Sequence, residues 1–456
     1  MAFGKDLPHR VTCPKMTAMS DWGAALERRI SERTAQVAVV GMGYVGLSLA
    51  VELARAGLAV RGIDLDLERV NRLNRGESYL VDVPSDALGP LVAAGTLTAT
   101  TTFDPAGAAD VIVICVPTPL RKSKEPDISF ILSALEHLVP HLRRGQLMVL
   151  ESTTYPGTTE EVIQPRLESR GLAIGTDFFL AFSPERVDPG NQRFTTANIP
   201  KVVGGVTRAC TDLAAALYGH VTGSVFKASS PRVAETAKLL ENTFRSVNIA
   251  LANEFALACR KIGVDPWEVI EAAATKPFGF MPFYPGPGIG GHCIPVDPHY
   301  MSWKVRLTGY EAQFIALADR INRAMPEHVV TVLTEALNDH SRAVRGASIL
   351  VLGVTYKPDV NDIRESTALE IIEMLAQKGA RVTYADPFVP QLTLDSLKLT
   401  AVELSPATLA AADCVLILTN HSRFDYAAIA AHAPLVVDTR NAMKAYRTSG
   451  SSIVTL

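Results

Sequence analysis

Three closely spaced glycines near the start of the chain constrain its fold more than any other feature. They belong to a hexapeptide of the form G-x-G-x-x-G that directly follows the apolar run 36–40, namely Gly41-Met42-Gly43-Tyr44-Val45-Gly46. Glycines at this spacing allow a tight turn from a strand into a helix, whose N-terminus can then bind a pyrophosphate. The pattern predicts a dinucleotide-binding α/β domain, and a tight turn without a ligand is the alternative.

An acidic residue further along supports the dinucleotide interpretation. Asp64 ends the next apolar run and lies 18 residues after Gly46. An acid about 20 residues beyond the last glycine is typical of the contact to the ribose hydroxyls. Because its charge should repel a 2′-phosphate, we expect NAD rather than NADP.

Strand-like apolar runs alternate with helical periodicity at both ends of the chain. The predicted strands are 36–40, 59–64, 110–116, 147–152, 178–183, 200–205, 348–354, 380–386, 413–419 and 434–439. Such alternation implies parallel sheets that are covered on both faces. The run QVAVVGMGYVG also parallels SILVLGVTYKPD, which predicts two nucleotide sites.

The centre of the chain has a different character. Residues 232–262 contain neither Gly nor Pro and carry apolar residues at helical spacing, so one long helix ending at Gly263 is predicted. Apolar positions such as Val247, Leu251 and Phe255 surround much of its girth, which predicts a homodimer core.

The predicted fold class is therefore α/β, with two Rossmann-like doubly wound domains joined by a central helical domain. The predicted boundaries are an N-terminal extension at 1–34, an NAD-binding domain at 35–228, a helical dimerisation domain at 229–332 and a second nucleotide-binding domain at 333–456.

Composition excludes several classes of protein. Lys plus Arg number 44 against 47 Asp plus Glu, which leaves no basic surplus for a nucleic-acid backbone. The longest largely apolar stretch, 37–51, has 15 residues, fewer than the about 20 that a membrane span needs. Six cysteines without a CxxC pair indicate reduced thiols and a cytoplasmic location rather than three disulfides.

One cysteine differs from the others in its setting. Cys293 follows Gly290 and Gly291 and precedes Asp297, whereas a structural cysteine usually lies in an apolar strand or helix. A rigid glycine loop with nearby charge favours an activated thiol, although a structural role stays open. His292 is disfavoured as its base, because a sequence neighbour on extended backbone points away.

Polar residues at strand ends and on the long helix are further candidates. Lys238 and Asn242 lie four residues apart and share one helix face, which indicates either a polar site or a solvated stripe. Glu185, Thr153 and the segment 117–118 follow predicted strands, where ligands of α/β sheets bind; ordinary turn chemistry is the alternative.

Taken together, these motifs resemble one family. GMGYVG, VPTP, ESTTYPG, FSPERVDPG, KLLENTFRSVNIALANE, GPGIGGHCIPVDP and TYKPDVNDIRES occur in the order found in nucleotide-sugar 6-dehydrogenases of the UDP-glucose/GDP-mannose type. The resemblance runs from about residue 36 to the C-terminus and is closest to bacterial UDP-N-acetylglucosamine 6-dehydrogenases of surface-polysaccharide synthesis.

The resemblance implies roles for individual residues. Those implied to be catalytic are Cys293, Lys238, Asn242, Asp297, Glu185 and Thr153. Those implied to bind NAD are Gly41, Met42, Gly43, Tyr44, Val45, Gly46, Asp64, Arg69, Pro117, Thr118, Thr153 and Arg364. Those implied to bind the UDP-sugar are Glu185, Arg186, Lys238, Asn242, Tyr284, Gly286, Gly288, Gly290, Lys357 and Arg440. An arginine that reaches the neighbouring subunit's substrate in glucose-type members has no clear counterpart; Lys276 is the nearest base.

The implied reaction is the four-electron oxidation of a UDP-sugar at C6 to the uronic acid, with NAD as acceptor and a thiohemiacetal and a thioester on Cys293. UDP-N-acetylglucosamine is the expected substrate, and UDP-N-acetylmannosamine, UDP-N-acetylgalactosamine and UDP-glucose are alternatives. A two-electron hydroxyacid-type dehydrogenase would need neither the cysteine nor a second nucleotide domain. A non-catalytic nucleotide-binding protein would leave Cys293, Lys238 and Glu185 together unexplained.

Overall fold

The computed structural model describes residues 19–80, 82–121, 123–186, 191, 193–394, 397–448 and 452–456. Residues 1–18 of the predicted N-terminal extension lie outside this range. So do residues 187–190, the end of the FSPERVDPG motif.

The first sheet has eight strands. They are β1 (Gln36–Val40), β2 (Ala59–Ile63), β3 (Leu97–Thr100), β4 (Val111–Ile114), β5 (Leu147–Leu150), β6 (Phe179–Phe182), β7 (Lys201–Gly205) and β8 (Val225–Lys227), in the spatial order 3-2-1-4-5-6-7-8. The order reverses between β1 and β4, which is where an α/β sheet of this kind binds its ligand. The short strands β3 and β8 were not predicted, because LTAT and VFK carry too few apolar residues to form a strand pattern.

The sheet departs from the parallel arrangement predicted for it at one place. β7 is antiparallel to β6, with Phe182 opposite Gly204, while β7 and β8 are parallel to each other. The first residue of β7, Lys201, therefore lies at the same edge as the carboxyl ends of β1, β2, β4, β5 and β6.

Both faces of this sheet are covered, as predicted. The helices around it are α1 (Asp21–Ser31), α2 (Tyr44–Arg55), α3 (Leu67–Asn74), α4 (Ser85–Ala93), α5 (Pro105–Ala108), α6 (Ser129–Leu138), α7 (Gln164–Glu168) and α8 (Arg208–Tyr218). Val37 and Val39 of β1 belong to one buried cluster and Ala38 and Val40 to another. This arrangement results from the two-residue period of a strand, which sends alternate side chains to opposite faces.

A helical region separates the two sheets. It comprises α9 (Pro231–Ile262), α10 (Pro266–Ala274), α11 (Asp297–Arg306) and α12 (Gln313–Asp339). The long helix α9 ends as predicted, because Gly263 adopts a left-handed conformation with φ of 70°. At its start the Ser230 hydroxyl accepts a hydrogen bond from the Val233 N–H, and Pro231 takes the first helical position, where no N–H is needed.

The second sheet contains five parallel strands and a separate hairpin. Its strands are β9 (Ser348–Leu352), β10 (Arg381–Ala385), β13 (Cys414–Ile417), β14 (Val436–Asp438) and β15 (Ile453–Thr455), in the order 10-9-13-14-15, and the hairpin is β11 (Gln391–Thr393) with β12 (Lys398–Thr400). The helices around it are α13 (Thr367–Gln377), α14 (Pro406–Ala411) and α15 (Tyr426–His432).

Two doubly wound lobes joined by a helical centre confirm the predicted fold class. We call them the N-terminal lobe (residues 19–228) and the C-terminal lobe (residues 345–456). Among the helices of the described ranges, none has the length and apolar character that crossing a membrane requires.

Candidate active site between two nucleotide-binding lobes

The glycine turn after β1 leaves room for a ligand. Gly41 has φ of +89°, and a Cβ atom at Gly46 would lie 1.9 Å from the carbonyl oxygen of Gly41, so both positions need glycine for the turn itself. Gly43 is different, because a Cβ atom there would meet no atom of the described residues within 4 Å. It caps the N-terminus of α2 and faces open space, so the backbone N–H groups of this helix end are accessible to a pyrophosphate. The residues fit a dinucleotide.

Asp64 is held at the rim of this turn. Its Oδ2 accepts a hydrogen bond of 2.7 Å from the Met42 N–H, and its Oδ1 accepts one of 2.9 Å from the Asp66 N–H. Arg69 places a guanidinium nitrogen 3.7 Å from Oδ2. The side chain of Met42 is buried against Gly62, so only its backbone faces the turn. Tyr79, which the sequence did not single out, donates to the Met42 carbonyl at 2.5 Å.

Two neighbouring strand ends extend the cleft. The Ser152 hydroxyl after β5 donates to the Val116 carbonyl after β4 at 2.7 Å, which places half-buried Thr153 beside the segment 117–118. The Tyr300 hydroxyl donates to the Thr118 carbonyl and so ties α11 to the N-terminal lobe. Of the x positions in the glycine turn, Val45 packs against the core, and the buried Tyr44 hydroxyl has no hydrogen-bond partner among the described residues.

Cys293 lies one turn before α11 and is exposed, whereas the other four cysteines of the described residues are buried. Its carbonyl accepts a hydrogen bond of 2.8 Å from the Asp297 N–H, which fixes the cysteine against the start of that helix. Asp297 is buried, and its carboxylate accepts a hydrogen bond of 2.5 Å from the Asn242 amide. One turn earlier on α9, the Lys238 ammonium donates to the Glu185 carbonyl at 2.5 Å. Three distant segments of the chain therefore meet at the cysteine.

The electrostatics of this group differ from a simple activated thiol. Although the Cys293 side chain is exposed, protein atoms around it reduce its hydration, and this partial loss of water raises its pKa to about 11, with a further rise caused by the Asp297 carboxylate. Lys238 acts in the expected direction and favours the thiolate, but it is outweighed. Burial raises the pKa of Asp297 to about 6 against the opposing effects of Lys238 and Asn242. The thiol is therefore protonated at neutral pH, and the carboxyl group of Asp297 titrates near pH 6.

The segment that leads to Cys293 is clamped between α9 and the C-terminal lobe. The Gly286 N–H donates to Asn253 at 2.9 Å, and a Cβ atom at Gly286 would lie 2.7 Å from a guanidinium nitrogen of Arg440. Gly288 has φ of +115°, and a Cβ atom at Gly290 would lie 2.6 Å from the Glu365 carbonyl. Asn253, fully buried and missed from the sequence, thus holds the loop from the helix side.

Other neighbours complete this clamp. The ring of Tyr284 stacks on Trp267, with ring centroids 5.6 Å apart. Partial removal of the His292 ring from water, together with Arg364, lowers the pKa of that histidine. Charged residues of the C-terminal lobe, namely Arg364, Asp362 and Glu365, thus act on this histidine.

Basic residues of the C-terminal lobe line the same side. The Arg440 Nε donates to the Leu418 carbonyl at 2.8 Å, and burial lowers the pKa of this arginine to about 10. Arg364 is engaged by Asp362, with its Nε 2.9 Å from Oδ1. The Lys357 carbonyl accepts a hydrogen bond of 2.8 Å from the Thr355 hydroxyl, which shapes the loop after β9.

Glu185 and Arg186 form the remaining wall. The guanidinium of Arg186 contacts Glu241 of α9 at 2.6 Å and donates to the Pro200 carbonyl at 2.7 Å. The Glu185 carboxylate lies 3.7 Å from the ammonium of Lys201, another residue that the sequence did not single out. A charged residue at the start of the otherwise apolar strand KVVGG was the available signal.

Known proteins share this architecture over most of the chain. Residues 35–222 match the NAD binding domain of the UDP-glucose/GDP-mannose dehydrogenase family, residues 232–324 its central domain and residues 350–445 its UDP binding domain. NAD is thus the dinucleotide of the N-terminal lobe, as predicted.

Individual relatives act on different sugars. A UDP-N-acetyl-D-glucosamine 6-dehydrogenase of Pseudomonas aeruginosa is 39% identical over 78% of this chain and 83% of its own length. An NDP-N-acetyl-D-galactosaminuronic acid dehydrogenase of Ralstonia nicotianae is 35% identical over 92% of this chain and 99% of its own. The solved UDP-D-ManNAc dehydrogenase of Pyrococcus horikoshii superposes with a TM-score of 0.84 at 32% identity and covers 92% of this chain and 98% of its own.

The order of the three matched domains agrees with the order of the two lobes and the helical centre. The chain is an NAD-dependent UDP-sugar dehydrogenase and belongs to the UDP-glucose/GDP-mannose dehydrogenase family.

Proposed function

We propose that this enzyme oxidises the C6 hydroxymethyl group of a UDP-N-acetylhexosamine to a carboxylate by a four-electron reaction, with UDP-N-acetylglucosamine as its substrate. The observation that carries the proposal is the meeting of Cys293, Asp297 and Lys238 at the clamp between the two nucleotide-binding lobes. A primary alcohol must lose two hydrides to become an acid, and a thiol nearby lets the aldehyde stage be captured covalently.

The chain's own residues divide the work. NAD, when bound, supplies the acceptor for each hydride. The Lys238 ammonium stabilises the oxyanion that develops at C6, and the Asn242 amide, one helical turn away, contributes a hydrogen-bond donor to the same region. Cys293 adds to the aldehyde to give a thiohemiacetal, which becomes a thioester when the second hydride leaves.

The proton of the thiol needs an acceptor, because the pKa of Cys293 is about 11. We assign this proton to Asp297, since a carboxyl group with a pKa of about 6 exchanges protons readily near neutral pH. Glu185, with Thr153 at the neighbouring strand end, then positions the water that hydrolyses the thioester.

Diphosphate and sugar recognition are assigned to the C-terminal side. Arg440 and Lys357 offer positive charge to the UDP diphosphate, and the glycines of 286–290 let the loop approach the nucleotide closely. Relatives that act on glucosamine, mannosamine and galactosaminuronic acid derivatives share this chain's architecture, so the sugar itself must be tested.

A panel of UDP-sugars that differ at C2 and C4, with and without the N-acetyl group, tests the proposal directly. We expect NADH formation with UDP-N-acetylglucosamine at the highest kcat/KM. Faster turnover of the C2 or C4 epimer would transfer the same chemistry to UDP-N-acetylmannosamine or UDP-N-acetylgalactosamine. A lack of NADH with every member would contradict the proposal and favour a binding protein.

We also propose that α9 forms the core of a homodimer. Six apolar side chains of this helix are exposed and spaced by four or seven residues, which places them on one stripe: Val233, Leu240, Phe244, Leu251, Phe255 and Ile262. A stripe of this length is costly to leave in water, and the same helix of a second copy is complementary to it. Sedimentation should give a dimer that L240E dissociates; a wild-type monomer would refute this.

A further inference from the structure

A buried lysine stands behind the acidic wall of the site and takes no part in the proposed chemical steps. Lys201 is the first residue of β7 and is only 6% exposed. Because β7 runs antiparallel to β6 with Phe182 opposite Gly204, continuing this register by three residues sets Glu185 opposite Lys201. The antiparallel strand thus returns a cation to the edge where the parallel strands end.

The contacts of Lys201 form a closed group. Its ammonium lies 2.9 Å from Glu151 Oε1 and 3.7 Å from Glu185 Oε2. The Tyr218 hydroxyl donates to the same Glu151 oxygen at 2.5 Å, and the ammonium lies 5.0 Å from the centre of the Tyr218 ring. Glu151 is itself buried, so it does not connect this group of side chains to solvent.

The charge state of this lysine is set by its surroundings. Burial alone would lower the pKa of Lys201, but the carboxylates of Glu151 and Glu185 outweigh it and the pKa is raised. The ammonium therefore stays charged and can hold a carboxylate in place.

Glu185 is consequently held from two directions. On the side of the thiol, the Lys238 ammonium donates a hydrogen bond of 2.5 Å to the backbone carbonyl of Glu185. On the opposite side, the Lys201 ammonium forms an ion pair with the Glu185 carboxylate. A base that must take a proton from one water gains from such fixing, because its position is then set in advance.

We propose that Lys201 is a positioning residue for the hydrolytic half of the reaction. It holds the Glu185 carboxylate where that group accepts a proton from the water that attacks the thioester on Cys293. The water oxygen bonds to the thioester carbon, one water proton goes to Glu185, and the tetrahedral adduct collapses to the acid as the carbon–sulfur bond breaks and the thiolate leaves. This inference rests on the proposed function.

The oxidation steps should depend much less on Lys201. Among the described residues, the charged groups with the largest effects on the Cys293 thiol are Asp297, Lys238, Glu185 and Arg245, and Lys201 does not belong to this set. The prediction is therefore specific to one step: without Lys201, NADH is still formed on the enzyme, but the thioester persists.

Rapid-quench kinetics on K201M with the best UDP-sugar and NAD tests this. We expect the initial burst of NADH to be retained, the steady-state rate to fall about 100-fold, as for the loss of a general base's support, and a sugar adduct to accumulate on Cys293 by intact mass. K201R should partly restore turnover. The matched control is K227M. Lys227 lies on the neighbouring strand β8, and its exposed ammonium pairs with Asp212 at 2.7 Å, so this variant should leave every readout unchanged.

A second variant separates positioning from folding. K201M leaves Glu151 as a buried acid without its cation, whereas E151M/K201M removes both charges. Buried ion pairs are often replaced by apolar residues without loss of stability. The double variant should fold and show the same adduct. A folded variant that loses burst and turnover equally, or lacks the adduct, would overturn the proposal, as would failure of the double variant to fold. A wild type inactive on all UDP-sugars would overturn the proposed function instead.

Discussion

The two nucleotide-binding lobes share one turn and use it differently. In the N-terminal lobe the Met42 N–H donates to Asp64 Oδ2 at 2.7 Å, and in the C-terminal lobe the Val354 N–H donates to Asp386 Oδ2 at 2.8 Å. In both, a strand ends in a glycine with positive φ and the acid ends the neighbouring strand. The faint repeat in the sequence therefore corresponds to the same turn built twice.

The two lobes differ in the segment that comes directly after the turn. After Gly43 the helix α2 begins at once, whereas residues 354–366 form a loop of thirteen residues before α13 begins at Thr367. Asp64 keeps 10% of its side chain exposed, but Asp386 keeps none. His421 closes the second acid: its Nδ1 accepts the Asp359 N–H at 3.0 Å, so its Nε2 donates to Asp386 at 3.0 Å.

One acid is thus available to a ribose, and the other is sealed in the protein. We propose that recognition of UDP in the C-terminal lobe passes instead to Lys357 of the inserted loop and to Arg440, whereas Arg364 of the same loop is expected to contact NAD. We infer that the shared turn sets where a nucleotide binds and that the residues after it select the nucleotide.

The largest effect should come from the residue that serves both lobes. C293A removes the nucleophile, so acid formation should fall by about four orders of magnitude or more, as for other covalent nucleophiles. Calorimetric titration should still show NAD and UDP binding with unchanged affinities, because neither lobe contributes the thiol. Weakened binding of either nucleotide would mean that Cys293 has a structural task in its lobe.

Substitution of Asp386, the fully buried acid of the C-terminal lobe, should lower stability and leave cofactor affinity unchanged. D386N turns one of the two acceptor oxygens into an amide N–H, which then faces either the Val354 and His421 donors at the Oδ2 position or the Phe388 and Val389 N–H groups at the Oδ1 position. We therefore expect a loss of about 3 kcal/mol in the free energy of unfolding. Hydrogen bonds from His421 hold the pKa of Asp386 below its ordinary value despite burial, so the wild-type advantage is present above about pH 4 and shrinks as pH falls below it. Urea titration at pH 7 and pH 3.5 measures this; unchanged stability at pH 7 would contradict it.

For Asp297, buried at the clamp between the lobes, the effect of the carboxylate on stability should have the opposite sign. Burial raises its pKa from the ordinary 3.8 to about 6, so the ionised carboxylate destabilises the folded chain as pH rises through that range. D297N should therefore gain up to about 3 kcal/mol at pH 8, and nothing near pH 3.5, while losing activity. Thermal unfolding across this range is the measurement, and Asn242 can still form a hydrogen bond with the new amide; a gain that is independent of pH would contradict the assignment.

The available acid of the N-terminal lobe should give the smallest effect. D64N keeps one acceptor oxygen but loses the charge, so we expect NAD affinity to fall about tenfold, or ~1.4 kcal/mol, with reduced discrimination against NADP. UDP affinity serves as the control and should not change. An unaltered NADP-to-NAD ratio would show that Asp64 does not face the ribose.

Much of the fold was predictable because local pattern and tertiary role agree. The run 36–40 forms β1 over those same residues, and the Gly-free run from 232 to 262 forms α9, which starts at Pro231. The antiparallel turn-back of β7 was not predictable, since KVVGG fits a buried strand of either direction. β15 was missed because three residues are too few to show a strand pattern in the sequence, and the strand is recognisable only by its pairing with β14.

The candidate site was less accessible to sequence reasoning. Cys293, Asp297, Lys238 and Asn242 came from motifs and lie together, and their assigned roles stay predictions. Lys201 was missed because it lies 16 residues from Glu185 and meets it only through the reversal of β7. The raised pKa of the thiol was equally invisible, because water loss depends on packing and not on sequence neighbours.

The proposed mechanism requires that one sugar gives up two hydrides without leaving the enzyme. The most direct test is the number of NADH formed per sugar consumed when limiting substrate is run to completion with excess NAD. We expect two NADH per sugar consumed, with the uronic acid as the sole product and no aldehyde trapped by semicarbazide. One NADH per sugar, with free aldehyde in solution, would contradict it.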